Sequence, residues 1–346
     1  MVDTHEELVG ERQFARDEAV AFIHDELLGY LFPAALRAAV FYNVADHLVD
    51  GPRSIGELSQ LTATNESALY RVLRLLATKD IFTEVEPGRF AVTPRAEVLC
   101  SDAENSARPA VLMMTDLPLW RAAGDLARSL TGDRPAFDHV FGAGFFEYLA
   151  QQPEAAGTFH TGMAAWSDAD NRAVAEACRI PRGATVVDVG GGHGGLLLEL
   201  LRRNPEAHGI LFDRDYVLRE NRLREADLAG RWQAVDGDFF VEIPAADVYV
   251  LKKIMHDWDD AACIRVLDNC RKAMRPGGRI LVVDGIIAEG NSYQQTKALD
   301  LLMLALLPGG ERTITQFEAI FSSAGLRTVS VLDLPSASVS ISELAV

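Results

Sequence analysis

A histidine at the end of a short apolar stretch is the residue of this chain best suited to acid–base chemistry. Residues 248–251 read Val-Tyr-Val-Leu, a predicted buried strand, and His256 follows in the run Lys-Lys-Ile-Met-His-Asp-Trp. In open α/β sheets, ligands bind beyond the carboxyl ends of the strands. Because the pKa of a histidine lies near neutrality, an imidazole placed there can accept a proton from a bound substrate. The run therefore predicts a general base at the edge of a parallel sheet.

A glycine-rich turn upstream of this histidine predicts a site for a nucleotide-like cofactor. A predicted strand at 185–189 leads into Gly-Gly-Gly-His-Gly-Gly, which begins at Gly190. Glycines let the backbone approach a ligand closely, and those at 190, 192 and 195 also satisfy the dinucleotide pattern G-x-G-x-x-G. The second strand ends at Asp213, 25 residues after Asp188, where a carboxylate can bind both hydroxyls of a ribose. Both NAD and S-adenosyl-methionine remain open as cofactors at this point.

The residues that follow the third predicted strand provide contacts for an adenine base. Residues 236–240 read Asp-Gly-Asp-Phe-Phe. The carboxylate of Asp238 can accept a hydrogen bond from the adenine amino group, and the ring of Phe239 can pack on the base. Phe240 is interpreted as a core residue. Contacts of this kind at successive strand ends favour an adenosyl cofactor more strongly than the glycine turn does alone.

The elements that must position these residues fall into two regions. Residues 1–105 are predicted to form a winged-helix-like dimerisation domain. It begins with a helical region at about 18–48 that is apolar on more than one face. Two capped helices follow, after Ser54 and Asn65, and then a hairpin around Pro87-Gly88. A helix that is apolar nearly all round should be buried, here against a second subunit. Residues 51–100 carry equal numbers of basic and acidic residues, so the winged helix lacks the basic face of a DNA reader.

The second region, residues 106–346, is predicted to be an α/β domain with a doubly wound, mostly parallel sheet. Residues 106–180 form a helical linker rich in aromatics that also contributes a substrate pocket. Strands and helices then alternate, which is typical of a parallel sheet. The strands are predicted at 185–189, 209–212, 232–235, 247–251 and 279–284. Two stretches of period-two alternation, 328–332 and 338–342, predict a closing antiparallel hairpin.

The composition of the chain limits which cellular compartment and which kinds of partner are expected. The chain has 346 residues and a formal net charge of −17, which argues against nucleic acid as the main partner. Four cysteines without a CxxC pair favour reduced thiols and a cytoplasmic protein. No secretion signal is expected, and no apolar run is expected to reach the roughly 18 residues of a membrane span. A metal is not expected either, because the acidic residues that follow His256 diverge from it along a strand end and a helix start.

Four motifs in a fixed order resemble one protein family. They are Asp188-Val-Gly-Gly-Gly-His-Gly, Gly237-Asp-Phe-Phe, Leu251-Lys-Lys-Ile-Met-His-Asp-Trp and Pro308-Gly-Gly-Glu-Arg-Thr. The chain resembles the S-adenosyl-methionine-dependent O-methyltransferases of the plant caffeate type, which include bacterial members acting on aromatic natural products. The resemblance covers nearly the whole chain, because that family also carries a winged-helix dimerisation domain in front.

The resemblance implies a role for each matching residue. His256 matches the general base, and Asp284 and Glu311 match the acidic residues that flank it. The cofactor residues implied are Gly190, Asp213, Gly237, Asp238, Phe239 and Lys252. Phe159 and Met163 resemble a substrate-facing F-x-x-x-M stretch, and Met303 resembles a later substrate-facing methionine. The resemblance implies methyl transfer from S-adenosyl-methionine to a hydroxyl, such as a phenol, of a small aromatic metabolite, in a homodimer.

The motifs depart from the family pattern at two positions. The plant enzymes usually have Glu where this chain has Asp284, and the family usually has one more residue between Gly310 and the acidic residue. Both changes alter the reach of a carboxylate toward His256. Two alternatives are carried forward: a family member diverted to other chemistry, such as a hydroxylase-like reaction, and an NAD-dependent oxidoreductase. A regulator that binds DNA through the winged helix is disfavoured by the neutral charge of residues 51–100.

Overall fold

The computed structural model describes residues 4–346 except 105, 133, 220, 226, 229, 335, 336 and 338, with side chains from residue 16 onward except those of 169 and 225. The chain divides into two compact units, Met1–Thr115 and Asp116–Val346.

The first unit is a winged-helix arrangement. Its elements are α1 (Thr4–Leu27), α2 (Leu31–Phe41), β1 (Arg53–Ser54), α3 (Ile55–Thr62), α4 (Glu66–Ala77), β2 (Phe82–Glu86), β3 (Arg89–Val92), α5 (Pro94–Glu97) and α6 (Arg108–Met114), with a short 3-10 turn at Asp46–Leu48. The strands pair antiparallel in the order β1-β3-β2. The predicted hairpin is thus confirmed, with β1 as a third strand.

The predicted helix starts of the first unit are confirmed in detail. Ser54 accepts a hydrogen bond from the N–H of Glu57, whose carboxylate in turn accepts from the N–H of Ser54, a complete capping box. Asn65 caps α4 by accepting from the N–H of Ala68 at 2.9 Å. The buried face of α4, which includes Leu73 and Leu76, packs in the core of this unit. Local sequence was sufficient to predict these helix starts, because each capping side chain accepts a hydrogen bond from an N–H group of its own helix.

The apolar region at 18–48 is two helices, α1 and α2, which are interrupted at residues 28–30. The stretch Arg16–Phe41 is long and apolar enough to cross a membrane, judged by length and composition alone. The expectation that no apolar run reaches about 18 residues is therefore wrong. Only 6% of the most apolar window is buried within the chain. Large apolar side chains such as Phe22, Leu27 and Tyr30 are more than half exposed, as is typical of surfaces that contact another protein or a membrane.

The second unit is an α/β domain. Its elements are α7 (Leu117–Gly124), α8 (Ala136–Phe141), α9 (Phe145–Gln151), α10 (Pro153–Ala177), β4 (Thr185–Val189), α11 (Gly195–Arg203), β5 (His208–Asp213), α12 (Asp215–Leu218), β6 (Trp232–Asp236), β7 (Ala246–Lys252), α13 (Asp260–Ala273), β8 (Met274–Asp284), α14 (Gln295–Leu306), α15 (Ile314–Ser323), β9 (Arg327–Leu334) and β10 (Val339–Ala345), with 3-10 turns at Leu126–Leu130, Arg222–Glu225 and Met255–Asp257.

The described strands of this unit form a seven-stranded sheet in the order β6-β5-β4-β7-β8-β10-β9. The first five run parallel, and β10 lies antiparallel between β8 and β9. The predicted doubly wound sheet with a closing hairpin is confirmed. Ser338, the predicted start of the last strand, lies outside the described residues.

The central strands are buried on both faces, as parallel sheets require. One core holds Val187, Tyr249 and Val282 against α13 and α15, and the other holds Val186, Val250 and Leu281 against α10 and α11. Strand β8 begins at Met274, five residues before its predicted start at 279. Its pairing with β7 shifts between Ala246 and Val248, so that a Pro-Gly-Gly bulge at 276–278 fits into the strand.

Candidate active site

The predicted site residues lie where strands of the second unit end. The parallel strands β4, β5, β6 and β7 lead directly to Gly190, Asp213, Gly237 and Lys252, and β8 ends at Asp284. Because the carboxyl ends of parallel strands meet at one edge of the sheet, these residues share that edge. The strand order reverses between β4 and β7, which is the point where open α/β sheets bind ligands.

The glycine turn after β4 needs glycine for steric reasons. Gly190 has φ +65°, and a Cβ built there would lie 2.6 Å from the Cδ1 atom of Ile254. Gly194 has φ +77°, and its Cβ would lie 2.2 Å from a methyl carbon of Leu223. At Gly192 nothing lies within 4 Å of a built Cβ, so the middle of the turn borders open space. The turn is therefore fixed by packing on either side and leaves room for a ligand at its centre.

Asp213 at the end of β5 is oriented by backbone donors. Its Oδ2 atom accepts from the N–H of Gly192 at 2.8 Å, and Oδ1 accepts from the N–H of Arg214 at 2.7 Å. Burial raises the pKa of this carboxyl, while those two hydrogen bonds act in the opposite direction. Each carboxylate oxygen has a further lone pair for a hydroxyl donor. The geometry suits the ribose contact predicted for Asp213.

The residues after β6 are also packed closely against this edge. A Cβ on Gly237 would lie 2.4 Å from the ring of Phe212. Asp238 accepts from the N–H of Phe240 at 2.9 Å and from the guanidinium of Arg214 at 3.0 Å. Phe239 and Phe240 pack edge to face, with ring centroids 4.8 Å apart, against the larger core. Packing of Phe240 in the core is thus confirmed, and the carboxylate of Asp238 already has a protein donor on each oxygen.

Lys252, at the end of β7, is held by α10. Its Nζ atom donates to Asn171 Oδ1 at 2.8 Å and to both the hydroxyl and the carbonyl of Ser167. Burial and the charge of Lys253 lower the pKa of Lys252 to about 7. The negative charge of Asp188 acts on Lys252 in the opposite direction and raises its pKa. Burial raises the pKa of Asp188 itself to about 7. Its Oδ2 atom is buried without a hydrogen-bond partner among the described residues.

His256 lies in the 3-10 turn Met255–Asp257 and is surrounded by carboxylates. Its Nδ1 atom is 3.0 Å from Glu311 Oε1 and 3.5 Å from Asp284 Oδ1. Its Nε2 atom is 3.3 Å from Asp257 Oδ1. The structure therefore brings together all three residues predicted for the base, and Asp257 is a further neighbour that was not predicted.

The charges around His256 set its protonation. Burial alone disfavours the imidazolium, but the negative charges of Asp257, Asp284 and Glu311 outweigh burial and raise the pKa of His256 to about 9. Burial raises the pKa of Asp257 to about 6 and that of Asp284 to about 7. Since no lysine or arginine of the described chain forms an ion pair with these carboxylates, the imidazolium is their main source of compensating charge.

The two departures from the family motifs do not separate the carboxylates from the base. Glu311 reaches Nδ1 although it follows Gly310 directly, and its own N–H is fixed by Asp300 Oδ1 at 2.9 Å. The shorter Asp284 lies slightly farther from Nδ1, and its Oδ2 atom accepts from the N–H of Met255 at 3.1 Å. The shorter side chain therefore holds the backbone of the turn as well as facing the ring.

Aromatic side chains cluster around Trp258, two residues after the base. Trp258 stacks on Phe146 with ring centroids 5.8 Å apart and meets Phe240 edge to face. Of the predicted substrate residues, Phe159 packs edge to face on Phe145 at 5.0 Å, and Met303 lies buried on α14. Met163 lies four residues after Phe159 on α10, half-buried. Phe146 was not singled out among the aromatics of residues 106–180, most of which were expected to be core residues.

The base and its carboxylates also form a possible ligand set for a metal ion. Ligand atoms of His256, Asp284 and Glu311 lie within 4.8 Å of one another. Protonation of His256 explains the same arrangement without a metal. The positive charge of the imidazolium compensates the carboxylates, and its Nδ1–H donates to Glu311. A metal on Nδ1 would replace that hydrogen bond, and proton acceptance by His256 requires no metal.

Together, a doubly wound sheet, a glycine turn, a ribose-type carboxylate and a buried imidazole are typical of an α/β enzyme that binds a nucleoside cofactor beside a histidine. Residues 120–327 match the model of the O-methyltransferase domain family, and residues 25–102 match that of the O-methyltransferase dimerisation domain. The chain belongs to the O-methyltransferase family.

Individual relatives cover nearly the whole chain. A phenazine O-methyltransferase of Lysobacter antibioticus is 40% identical over 88% of this chain and 90% of its own. A 3-amino-4-hydroxybenzoate 4-O-methyltransferase of Streptomyces cremeus is 34% identical over 94% and 90% of the two chains. A methyltransferase of calicheamicin biosynthesis, solved with S-adenosyl-homocysteine bound, has a TM-score of 0.87 and 43% identity over 95% of this chain and 98% of its own.

Proposed function

We propose that this O-methyltransferase moves the methyl group of S-adenosyl-methionine to a phenolic hydroxyl of a small aromatic metabolite, with His256 as general base. The observation that carries the proposal is the arrangement of His256, with Nδ1 bound to Glu311 and backed by Asp284, beside the strand ends that form the cofactor edge. Family membership supports the reaction type, and the geometry supports His256 as the residue that removes the proton.

The cofactor edge fits an adenosyl sulfonium. When bound, S-adenosyl-methionine supplies an electrophilic methyl group on a positively charged sulfur. The residues that would hold it are Gly190, Asp213, Gly237, Asp238, Phe239 and Lys252. Asp188 and Asp213 place two buried carboxyl groups at this edge, and the Oδ2 atom of Asp188 has no hydrogen-bond partner among the described residues. Such an edge favours a cation, whereas the pyrophosphate of NAD would face these carboxylates.

The chain's own residues prepare the acceptor oxygen. A phenol has a pKa of about 10, so it reacts well only when its proton is taken as the new bond forms. Glu311 accepts the Nδ1–H of His256 and thereby leaves Nε2 as the atom that receives the proton. A base whose pKa is raised toward that of a phenol makes this transfer nearly balanced. The carboxylates then stabilise the imidazolium, as they do beside other catalytic histidines.

The acceptor pocket is proposed to hold a flat aromatic molecule. Five side chains near the base or on the neighbouring helices supply apolar and aromatic surface: Phe159, Met163, Met303, Phe146 and Trp258. Two of the relatives are named for a phenazine and for 3-amino-4-hydroxybenzoate, both of which are flat aromatics. Such ligands suit a pocket of aromatic and thioether side chains with one polar base.

A direct test of the proposed reaction uses methyl-labelled S-adenosyl-methionine with two acceptors, a hydroxyphenazine and 3-amino-4-hydroxybenzoate. We expect the label on the hydroxyl oxygen of at least one acceptor, located by mass spectrometry. Each acceptor is paired with the analogue whose hydroxyl is already methylated, and this analogue should receive no label. Equal labelling of an acceptor and its blocked analogue would show transfer to nitrogen or carbon and would contradict the proposal.

The raised pKa of His256 predicts an unusual pH dependence. Because the neutral imidazole is the base, kcat/KM should fall as the pH drops through the pKa of His256, and this limb should lie above the ordinary value of 6.5. Asp257→Asn removes one of the charges that raise the pKa, so the limb should move down by about one to two pH units. The profile of Asp215→Asn, an exposed aspartate, serves as the control. A limb that stays in place in Asp257→Asn would exclude control of the base by Asp257.

We also propose that residues 1–105 hold a homodimer together in the cytoplasm, with residues 106–346 as the methyltransferase domain. The exposed apolar side chains of α1 and α2 need a covering surface, and residues 25–102 match a dimerisation family. Buried free thiols suit a reducing compartment.

The double substitution Ile23→Asp with Leu27→Asp tests this interface. Both side chains are more than half exposed within one chain, so we expect a dimer-to-monomer shift in light scattering, because two buried charges cost several kcal/mol at an interface. Val85→Asp, which changes an exposed apolar residue of β2, should leave the mass unchanged. A double variant that stays dimeric would place the interface elsewhere, and wild-type protein found only in the membrane fraction would contradict a cytoplasmic dimer.

A further inference from the structure

The side chain that follows Glu311 is a buried arginine with an unusual set of partners. The guanidinium of Arg312 donates from Nη1 to the carbonyl of Met255 at 2.7 Å and from Nη2 to the carbonyl of Trp258 at 2.7 Å. A third, longer bond joins Nη1 to the carbonyl of Gly310 at 3.2 Å. Arg312 is 6% exposed, and its guanidinium approaches both carbonyls more closely than their other side-chain donor, Cys263 Sγ, which lies at 3.1 Å from Met255 and 3.5 Å from Trp258.

The two strong contacts flank His256 within the turn that carries it. Met255 precedes the base and Trp258 follows it by two residues, so one planar group spans the 3-10 turn Met255–Asp257. The preceding residue, Glu311, binds the imidazole ring itself. Adjacent residues of one segment thus hold the backbone and the ring of the base separately.

The surrounding chain fixes this segment with little freedom. A Cβ on Gly309 would lie 2.1 Å from the carbonyl oxygen of His256 and 2.4 Å from the nitrogen of Trp258, so the two backbones are in direct contact. On the far side, the carbonyl of Arg312 accepts from the N–H of Ile287 at 2.9 Å, just beyond β8. A shift of Arg312 would therefore be transmitted to the turn.

We propose that Arg312 is a positioning residue for methyl transfer, which holds the base turn so that His256 Nδ1 stays on Glu311. It acts through backbone carbonyls and touches neither cofactor nor acceptor in this role. A lysine could keep the charge but could not reach two carbonyls and a carboxylate at once, because only guanidinium presents a rigid planar fork. The inference rests on the proposed role of His256.

Arg312 has one further partner, which allows the two possible roles to be separated. Asp260 Oδ1 accepts from Nε at 3.0 Å and from Nη2 at 2.8 Å, but its side chain is 71% exposed. Because the carboxylate end of this pair is exposed, solvent screens its contribution, although the guanidinium itself is buried. If Arg312 acts on the turn, removing the charge of Asp260 should lower kcat far less than replacing the guanidinium of Arg312.

The test compares Arg312→Lys with Asp260→Asn in the full-length protein. For Arg312→Lys we expect kcat to fall about tenfold to a hundredfold, as small misplacements of catalytic groups do, with the KM for the acceptor and the affinity for S-adenosyl-homocysteine within twofold of wild type. The acid limb of kcat/KM should also move to lower pH, because the imidazole loses its contact with Glu311 while Asp257 and Asp284 remain. Asp260→Asn should have the wild-type kcat, and its acid limb should lie at the same pH as that of the wild type.

Two results would overturn the proposal. A variant Arg312→Lys that melts earlier but keeps the wild-type kcat and acid limb would make Arg312 merely structural, and an equal loss in Asp260→Asn would assign the effect to the ion pair. Should Arg312→Lys not fold, Arg312→Gln takes its place, and the Nδ1–H of His256 is followed by proton NMR in this variant and in wild type. Loss of the downfield Nδ1–H resonance in Arg312→Gln supports the proposal, and an unchanged resonance rejects it. Failure of His256 itself as the base would appear instead as full activity in His256→Ala.

Discussion

Replacing His256 with alanine is expected to lower kcat by about 10²- to 10⁴-fold while the affinity for S-adenosyl-homocysteine stays within a few-fold of wild type. The magnitude is that of general base catalysis by a positioned side chain. Cofactor binding should survive because the base turn lies at the end of β7, whereas the ribose carboxylate follows β5. The measurement is steady-state methyl transfer to a phenolic acceptor, with a calorimetric titration of the same protein.

A second histidine provides the control for this result. His208 lies at the start of β5, at the opposite edge of the sheet, and is exposed, so His208→Ala should retain wild-type kcat. Since His256→Ala leaves three buried carboxylates without their cation, a lower melting temperature is expected for it as well. Turnover by His256→Ala at the wild-type rate would remove His256 from the mechanism.

Asp213→Ala is expected to weaken S-adenosyl-homocysteine binding by roughly a hundredfold or more. Two hydrogen bonds from ribose hydroxyls to a carboxylate would be lost, each worth about 1.5–3 kcal/mol. The N–H of Gly192 would also lose its acceptor, so the glycine turn becomes less well fixed. Equilibrium dialysis with labelled S-adenosyl-homocysteine measures the loss without any need for an acceptor.

The matched control is Asp215→Ala, two residues along the chain. Its carboxylate makes an exposed ion pair with Arg219. Affinity should be unchanged in that variant. If Asp213→Ala bound S-adenosyl-homocysteine within twofold of wild type, the ribose would have to be held by other groups, and the assignment of the strand ends would be wrong.

Much of this fold could be predicted because each signal was local. Strands buried on both faces read as unbroken apolar runs, so β4, β5 and β7 were found within a residue or two of their bounds. The caps at Ser54 and Asn65 satisfy donors of their own helices. The start of β8 was misplaced because a Pro-Gly-Gly sequence normally ends a strand, and only the partner strand β7 shows that it is a bulge.

The site was predicted less completely because its contacts are distant in sequence. The partners of Lys252, namely Ser167 and Asn171, lie more than 80 residues away on a helix without a local motif. Asp257 was known from the sequence but was expected to diverge from His256. The 3-10 turn instead brings its carboxylate to the ring, a conformation that depends on packing against Gly309.

The family departures show why spacing alone could not decide the reach of a side chain. A missing residue before Glu311 and a shorter side chain at Asp284 both suggested weaker contact with the base. In the folded chain the N–H of Glu311 is fixed by Asp300, and the backbone of Met255 approaches Asp284. Compensation of this kind depends on elements that meet only after folding.

The most direct test of the account is the titration of His256 by ¹⁵N NMR in protein labelled at histidine and bound to S-adenosyl-homocysteine. The account predicts that neutral His256 carries its proton on Nδ1, toward Glu311, and that Nε2 gains a proton with a pKa above 6.5. A neutral ring protonated on Nε2, or a pKa at or below 6.5, would contradict it, because such a ring would be neither oriented nor tuned by its carboxylates to accept the proton of a phenol.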